Sequence, residues 1–255
     1  MSKDILEVDQ LQLYFGDDYV VNDYIKIHQP TIGEIVDFGE QQYFSMVQTI
    51  TAIPSEMKSQ LWDMGIDWTQ ITDFQLAMML WPTLPQEKTK ILFGDLNFQK
   101  FSPRENLQNG DIALVDIESN VVIDELAYMK IQKYLCSAHN LTKKVEKAAN
   151  EFTKKFMIDE DRKNLQHNSK KEYKSFLLSL ITSVKARQGY TKDYVKNMGL
   201  VEFMTEISRL QIIVNTDALL GGAYSGMMDT SKIPKKDFDW TRPIETNNKG
   251  NSLSL

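Results

Sequence analysis

One cysteine, Cys136, is the whole thiol complement of this 255-residue sequence. A lone cysteine excludes an internal disulfide and a cysteine-built zinc site within one chain, and it suits a reducing compartment. Placed between apolar neighbours on a helical pattern, it reads as a buried thiol rather than a nucleophile. Histidine is scarce too. His28, His139 and His167 are isolated, whereas hydrolytic zinc needs ligands at helical spacing, as in H-E-x-x-H. They read as a strand-end, a helix-end and a loop histidine, and His139 would favour the helix dipole if charged. Long apolar runs are missing. FLLSLI and LAMMLW fall far short of the ~20 residues of a membrane span, so no membrane partner is expected. MSKDILEVDQ has one lysine and no apolar stretch, which predicts no secretory leader and a cytosolic chain.

Catalytic motifs are equally thin. Asp17-Asp18 and Asp159-Glu160-Asp161 lack the central glycine and spaced ligands of a calcium loop, and they read as solvated charge runs. The stretch LLGGAYSGMMD, Leu219 to Asp229, is the one glycine-rich segment that invites a phosphate reading. A helical pattern precedes it, no Lys-Ser/Thr pair follows the glycines, and their spacing is not that of a dinucleotide fingerprint. Ala223 stands where a G-x-S-x-G nucleophile turn needs glycine. The order fits a helix C-terminus, with Gly221, Gly222 and Gly226 letting the chain leave and Tyr224, then Trp240, folding back toward the body. No catalytic, cofactor-binding or metal residue is assigned, and the chain is read as no enzyme.

Periodicity supplies the fold. Ile5–Phe15 and Tyr19–His28 alternate around Gly-Asp-Asp, which predicts an N-terminal β-hairpin. Helical spacing follows at Ile32, Ile35 and Val36, resumes after Gly39 at Tyr43, Phe44, Val47 and Ile50, and returns after Pro54. Thr72 and Asp73 are candidate caps for a further helix ending at Pro82 and Pro85. Leu96, Phe98 and Phe101, then Ile112–Ile117, then Val121–Ile123 predict a small antiparallel meander turning at Asn109-Gly110. Asp124 caps a helix through Tyr128, Ile131, Leu135 and Ala138. Val145 to Phe156 carries a weaker stripe, and MIDEDRKNLQHNSKK is polar enough for a loop or frayed helix. Two amphipathic helices close the pattern, one from Tyr173 to Val184 ended by Gly189 and one from Leu200 to Val214. The class is α+β, predominantly α-helical. Four regions follow: an acidic 1–92, a meander at 93–124, a helical 125–243, and a tail at 244–255 without a core pattern.

Net charge is −6 but unevenly spread: residues 1–80 hold thirteen acids against three lysines, and residues 141–174 hold ten Lys/Arg against six acids. Lys143, Lys147, Lys154 and Lys155 form a candidate basic patch, with Phe152, Phe156 and Tyr173 as candidate stacking groups for a nucleic-acid strand. The competing reading is an exposed face offset by Glu146 and Glu151, and it weighs against nucleic acid. The same patch could dock an acidic partner, including the N-terminal half of another copy. On the last helix, Leu200, Phe203, Met204 and Ile207 have the spacing of a helix-in-groove contact, or of a seam packed inside their own domain.

Two stretches carry a resemblance. Residues 30–76, from PTIGEIVDFGEQQYF to ITDFQL, and residues 219–240, LLGGAYSGMMDTSKIPKKDFDW, resemble tail-assembly-chaperone or baseplate-morphogenesis proteins of tailed bacteriophages of Gram-positive hosts. The matching elements in the second stretch are Tyr224, Ser225, Gly226, Asp229, Lys232, Ile233 and Trp240. The resemblance implies a non-enzymatic protein of the host bacterial cytoplasm that binds phage tail or baseplate proteins, the tape measure among them, and that can self-associate. It leaves open incorporation into the virion as a tail or baseplate subunit, and it brings no active-site residues.

Overall fold

Asp9 accepts hydrogen bonds from the Leu11 and Gln12 amides at 2.8 and 3.3 Å, and this cap turns Gln10–Tyr14 into a helix, α1. Here the expected hairpin is corrected. Alternating leucines match one strand face, but a local cap and burial of Leu13 favour the helix, which packs on the last helix of the chain. The hairpin forms one segment later, where β1 (Tyr19–Val20) pairs antiparallel with β2 (Lys26–Ile27). Its turn is held by Asn22, whose side chain accepts from Tyr24 N and Ile25 N.

The computed structural model describes residues 8–105, 110–169, 171–226, 229, 231 and 233–244. Among them are eleven α-helices and five short strands in two antiparallel sheets, an α+β fold dominated by helix.

Thr31 and Glu34 form a capping box that starts α2 (Ile32–Phe38), and Gly39, at φ +102°, breaks it from α3 (Glu40–Ile50). After a 3-10 turn at Pro54–Glu56 come α4 (Lys58–Asp63) and α5 (Asp73–Leu80), the latter started by a second capping box from Thr72 and Gln75. Trp81–Thr83 continues as a 3-10 turn because Pro82 cannot extend the α-helical ladder. A helix that periodicity did not assign, α6 (Gln86–Phe93), follows Pro85.

The meander is present with a shifted first arm. Asn97 accepts from Gln99 N and winds Phe98–Lys100 into a 3-10 turn, so β3 is Ser102–Glu105. It pairs with β4 (Ile112–Asp116), which pairs with β5 (Val121–Ile123), in the order β3-β4-β5. Asn109 lies outside the described residues.

Asp124 then caps α7 (Glu125–Ala138), whose Tyr128, Ile131, Leu135 and Ala138 are buried as the spacing predicts. Residues 141–148 are irregular, and α8 (Glu151–Asn168) starts from an Asn150 cap. From Met157 to Asn168 the polar stretch is therefore helical. α9 (Phe176–Gln188) ends at Gly189, φ +73°, and α10 (Lys192–Asn197) and α11 (Leu200–Tyr224) complete the order.

One hydrophobic core runs from Val8 through Trp81, Phe98, Leu114 and Tyr134 to Met204, so the acidic region, the meander and the helical region share it. Chain ends of the core are tied together. Ile32 N donates to Met198 O at 2.9 Å and Leu200 N to Pro30 O at 3.0 Å. Gly33 lets α2 meet α10, since a Cβ there would lie 2.9 Å from the Lys196 carbonyl oxygen. A second, smaller cluster of Ala52, Leu61, Trp68, Leu76 and Ile158 lies under α8.

Candidate functional site

The last helix divides into an interior and a projecting half. Leu200, Phe203 and Met204 are buried in the chain's own core and Ile207 packs against it, so the groove-binding spacing of these four is used inside the molecule. They are not available as partner anchors in this state. The physical reason is α11's place beside α1 and the Thr31–Gly199 bridge, which bring the helix start into the core.

The glycine stretch is also corrected. Gly221 and Gly222 lie inside α11, which runs on through Tyr224, and only Gly226, at φ +69°, takes the left-handed conformation of a helix exit. A Cβ at Gly221 would meet no atom within 4 Å, so no close approach demands glycine there. Tyr224 is 88 % exposed and does not fold back on the apolar seam. The returning segment lies against α11 instead, through hydrogen bonds. Arg209 of α11 donates to the carbonyls of Trp240 and Arg242 at 2.7 and 2.8 Å, and Thr216 Oγ1 donates to Asp237 O at 3.2 Å. Residues 235–242 thus lie along the helix while the Trp240 ring remains 56 % exposed. Lys232 lies outside the described residues.

The basic segment meets the acidic half of the same chain. Lys143 Nζ is 2.8 Å from Glu56, Lys154 Nζ is 2.8 Å from both Asp67 and Glu151, and Arg162 is 2.6 Å from Asp63. Lys58 returns the pairing from the other side, 2.8 Å from Glu146 and 5.8 Å above the Trp68 ring. Two of the four candidate basic residues, Lys143 and Lys154, are therefore neutralised within the chain, while Lys147 and Lys155 stay exposed. The charge complementarity read as a contact with another copy is satisfied internally.

These links pin one face of α8 and leave the opposite face open. Ile158 and Lys154 point inward, whereas Phe152 and Phe156, one turn apart, are 81 % and 61 % exposed. Val145, in the irregular segment before the helix, is exposed as well. Lys155, Asp159 and Glu160, close to the two rings in sequence, are exposed as well. Periodicity marked these phenylalanines as a weak stripe; that they point outward is decided by the ion pairs on the other side.

Titratable candidates fall elsewhere. Cys136 is half-buried where the sequence predicts a buried thiol, and partial burial pushes the thiol up to about 11, which keeps it protonated at neutral pH. It lines a shallow cavity of about 300 Å³ with Asp73, Met129, Lys133 and Val145. His139 is buried, and desolvation pushes it down to about 4, so it is a neutral core group instead of a charged helix-end cation. His28 bridges Asp18 and Glu34 at the hairpin, at 3.0 and 3.4 Å. Among the described residues no three His, Cys, Asp or Glu side chains converge as metal ligands, and no helix is long and apolar enough to cross a membrane.

Comparison with family models, with curated proteins and with solved structures finds no match for this chain.

Proposed function

We propose that this chain is a non-catalytic morphogenesis protein of a tailed bacteriophage, an assembly chaperone that holds tail or baseplate proteins in the host cytoplasm through an exposed apolar surface. The observation that carries the binding role is the Phe152–Phe156 pair, outward on a helix whose other face is fixed by ion pairs. Side chains at i and i+4 are the anchors by which a helix enters an apolar groove, and paired exposed aromatics mark an interaction site more strongly than scattered ones. The phage assignment rests on the resemblance of residues 30–76 and 219–240.

The test is a phage carrying Phe152→Ser/Phe156→Ser. The variant protein is expected to melt within about 0.5 kcal/mol of the parent, because both rings are already in water, and tail assembly is expected to fail. Normal tails from the double variant would overturn the binding surface. Purified particles separate the two structural roles: a chaperone is absent from them, and a tail or baseplate subunit is present. The nucleic-acid alternative retains only Lys147, Lys155 and neighbouring exposed lysines. A band shift that vanishes with moderate salt and with Lys147→Glu/Lys155→Glu would favour it, and retardation indifferent to both would remove it.

A further inference from the structure

α8 is joined to the molecule mainly by charge. A helix seated permanently in a domain buries about three to four apolar residues per two turns. Over its eighteen residues, about five turns, α8 buries only Lys154 and Ile158. It packs chiefly on α4, antiparallel to it, and Ile158 reaches the small cluster of Ala52, Leu61, Trp68 and Leu76 that is separate from the main core. Polar contacts supply the rest. Lys154 meets Asp67 at 2.8 Å, Arg162 meets Asp63 at 2.6 Å, and Asp161 accepts from the Ser59 amide and hydroxyl at 2.9 and 2.6 Å.

The surroundings of the helix agree with a removable cover. Residues 141–150 before it and 171–174 after it are irregular, and Asn140, at φ +52°, turns the chain out of α7. Beneath it, Trp68 is 3 % exposed, yet its Nε1–H has no hydrogen-bond partner among the described residues. Buried donors are ordinarily paired, so the closed arrangement leaves this floor incompletely satisfied.

We propose that α8 is a latch that lifts from α4 as a unit when its ion pairs are broken or competed for, and that the groove it leaves takes a partner helix of the same pattern. That pattern is a cation, an apolar residue and a cation at i, i+4 and i+8. It is read from α8 itself: Lys154, Ile158 and Arg162 meet Asp67, the Leu61–Trp68–Leu76 floor and Asp63 in turn. An acidic helix would be repelled by both aspartates. The latch does not rest on the Phe152–Phe156 surface, which lies on the other face of the helix and is exposed with the latch closed.

Hydrogen exchange on the full chain tests the motion, with the core helix α7 as the internal reference. In about 1 M NaCl, where the Debye length is about 3 Å, α8 amides are expected to exchange about tenfold faster through local opening while α7 holds its rate. Asp63→Arg, at an exposed position, should speed α8 in the same way, and adding Arg162→Asp should restore its protection. The groove is tested by titrating a peptide of residues 150–169 into the Lys154→Gln/Arg162→Gln chain, whose acidic groove is intact and whose own helix is weakened. Saturable binding is expected. It should be about tenfold weaker to the parent, whose tethered helix competes at high effective concentration, and absent when the peptide carries glutamine at both positions. Because Arg162 is half-buried, Arg162→Gln alone keeps the test informative if the double variant loses its fold. Exchange of α8 as slow as that of α7 at both salt concentrations, indifference to the charge reversal, absence of peptide binding to the variants, or equal binding to variant and parent would each overturn the proposal.

Discussion

His139 shows what burial does to one residue. With the ring neutral, its Nδ1–H donates to the Leu135 carbonyl at 2.7 Å and its Nε2 accepts from the Tyr43 hydroxyl at 2.7 Å. With the folded pKa pushed down to about 4 from an ordinary 6.5, the unfolded chain binds the extra proton between those values. Stability from this site is therefore whole above about pH 6.5 and is lost as the pH falls toward 4, to a total of about 3 kcal/mol. Urea unfolding between pH 7 and 4 should show that slope, and His139→Gln should flatten it while costing stability at pH 7. An unchanged slope in the variant would assign the acid sensitivity to carboxylates such as Glu40. The helical spacing placed His139 at the end of α7, but its distance from Tyr43, 96 residues away in the chain, is not a local property.

At the scale of elements, the caps divide into two kinds. Thr31, Thr72, Asp124, Asn150 and Thr191 each lie just before the helix they cap, and a reader of the sequence can find them. Two helix starts also receive a carboxylate from far away. Asp161 of α8 accepts from the Ser59 amide and hydroxyl at 2.9 and 2.6 Å, at the first turn of α4. Glu40 of α3 accepts from the Phe176 and Leu177 amides, both at 2.8 Å, at the start of α9. Burial would raise the Glu40 pKa, yet the Ser175 hydroxyl and these amides hold it below the usual carboxylate range. Asp161→Ala should cost about 1–2 kcal/mol in thermal unfolding. Asp159→Ala on the same helix, where the carboxylate is exposed and faces only Arg162, should change it by under about 0.5 kcal/mol. Equal effects would refute the remote cap. The same local logic reverses the expectation at the glycine stretch. Because Gly221 is helical and exposed with open space around its Cα, Gly221→Ala should raise stability by about 0.5–1 kcal/mol, measurable as a higher urea midpoint.

For the whole molecule, the uneven charge and the shared core make one prediction together. The core takes Val8 to Leu92 from the acidic region, Phe93 to Ile123 from the meander and Ala127 to Met204 from the helical region. The acidic and basic segments are closed on one another by Lys58, Lys143, Lys154 and Arg162. A fragment of residues 1–92 would lack His139 and Tyr128, which cover Tyr43 and Trp81, and would expose those two rings to water. It should show little helix by circular dichroism and no cooperative melting. A cooperatively melting fragment would instead establish the acidic region as a domain of its own.

The amphipathic stripes, the capping boxes, the breaks at Gly39 and Gly189, and the three-stranded meander follow from residue order, because caps, turns and periodicity act within a few residues. Where local signals compete, as at Gln10–Tyr14 and Phe98–Lys100, a side-chain cap outweighs alternation and turns an expected strand into a helix or 3-10 turn. Which face of each stripe is covered is a different matter. Leu200–Ile207 faces inward and Phe152–Phe156 outward because α11 begins beside Pro30 and α8 is held to α4 by opposite charges. Those partners are about 90 to 170 residues apart in sequence, and only chain closure brings them within a few ångströms.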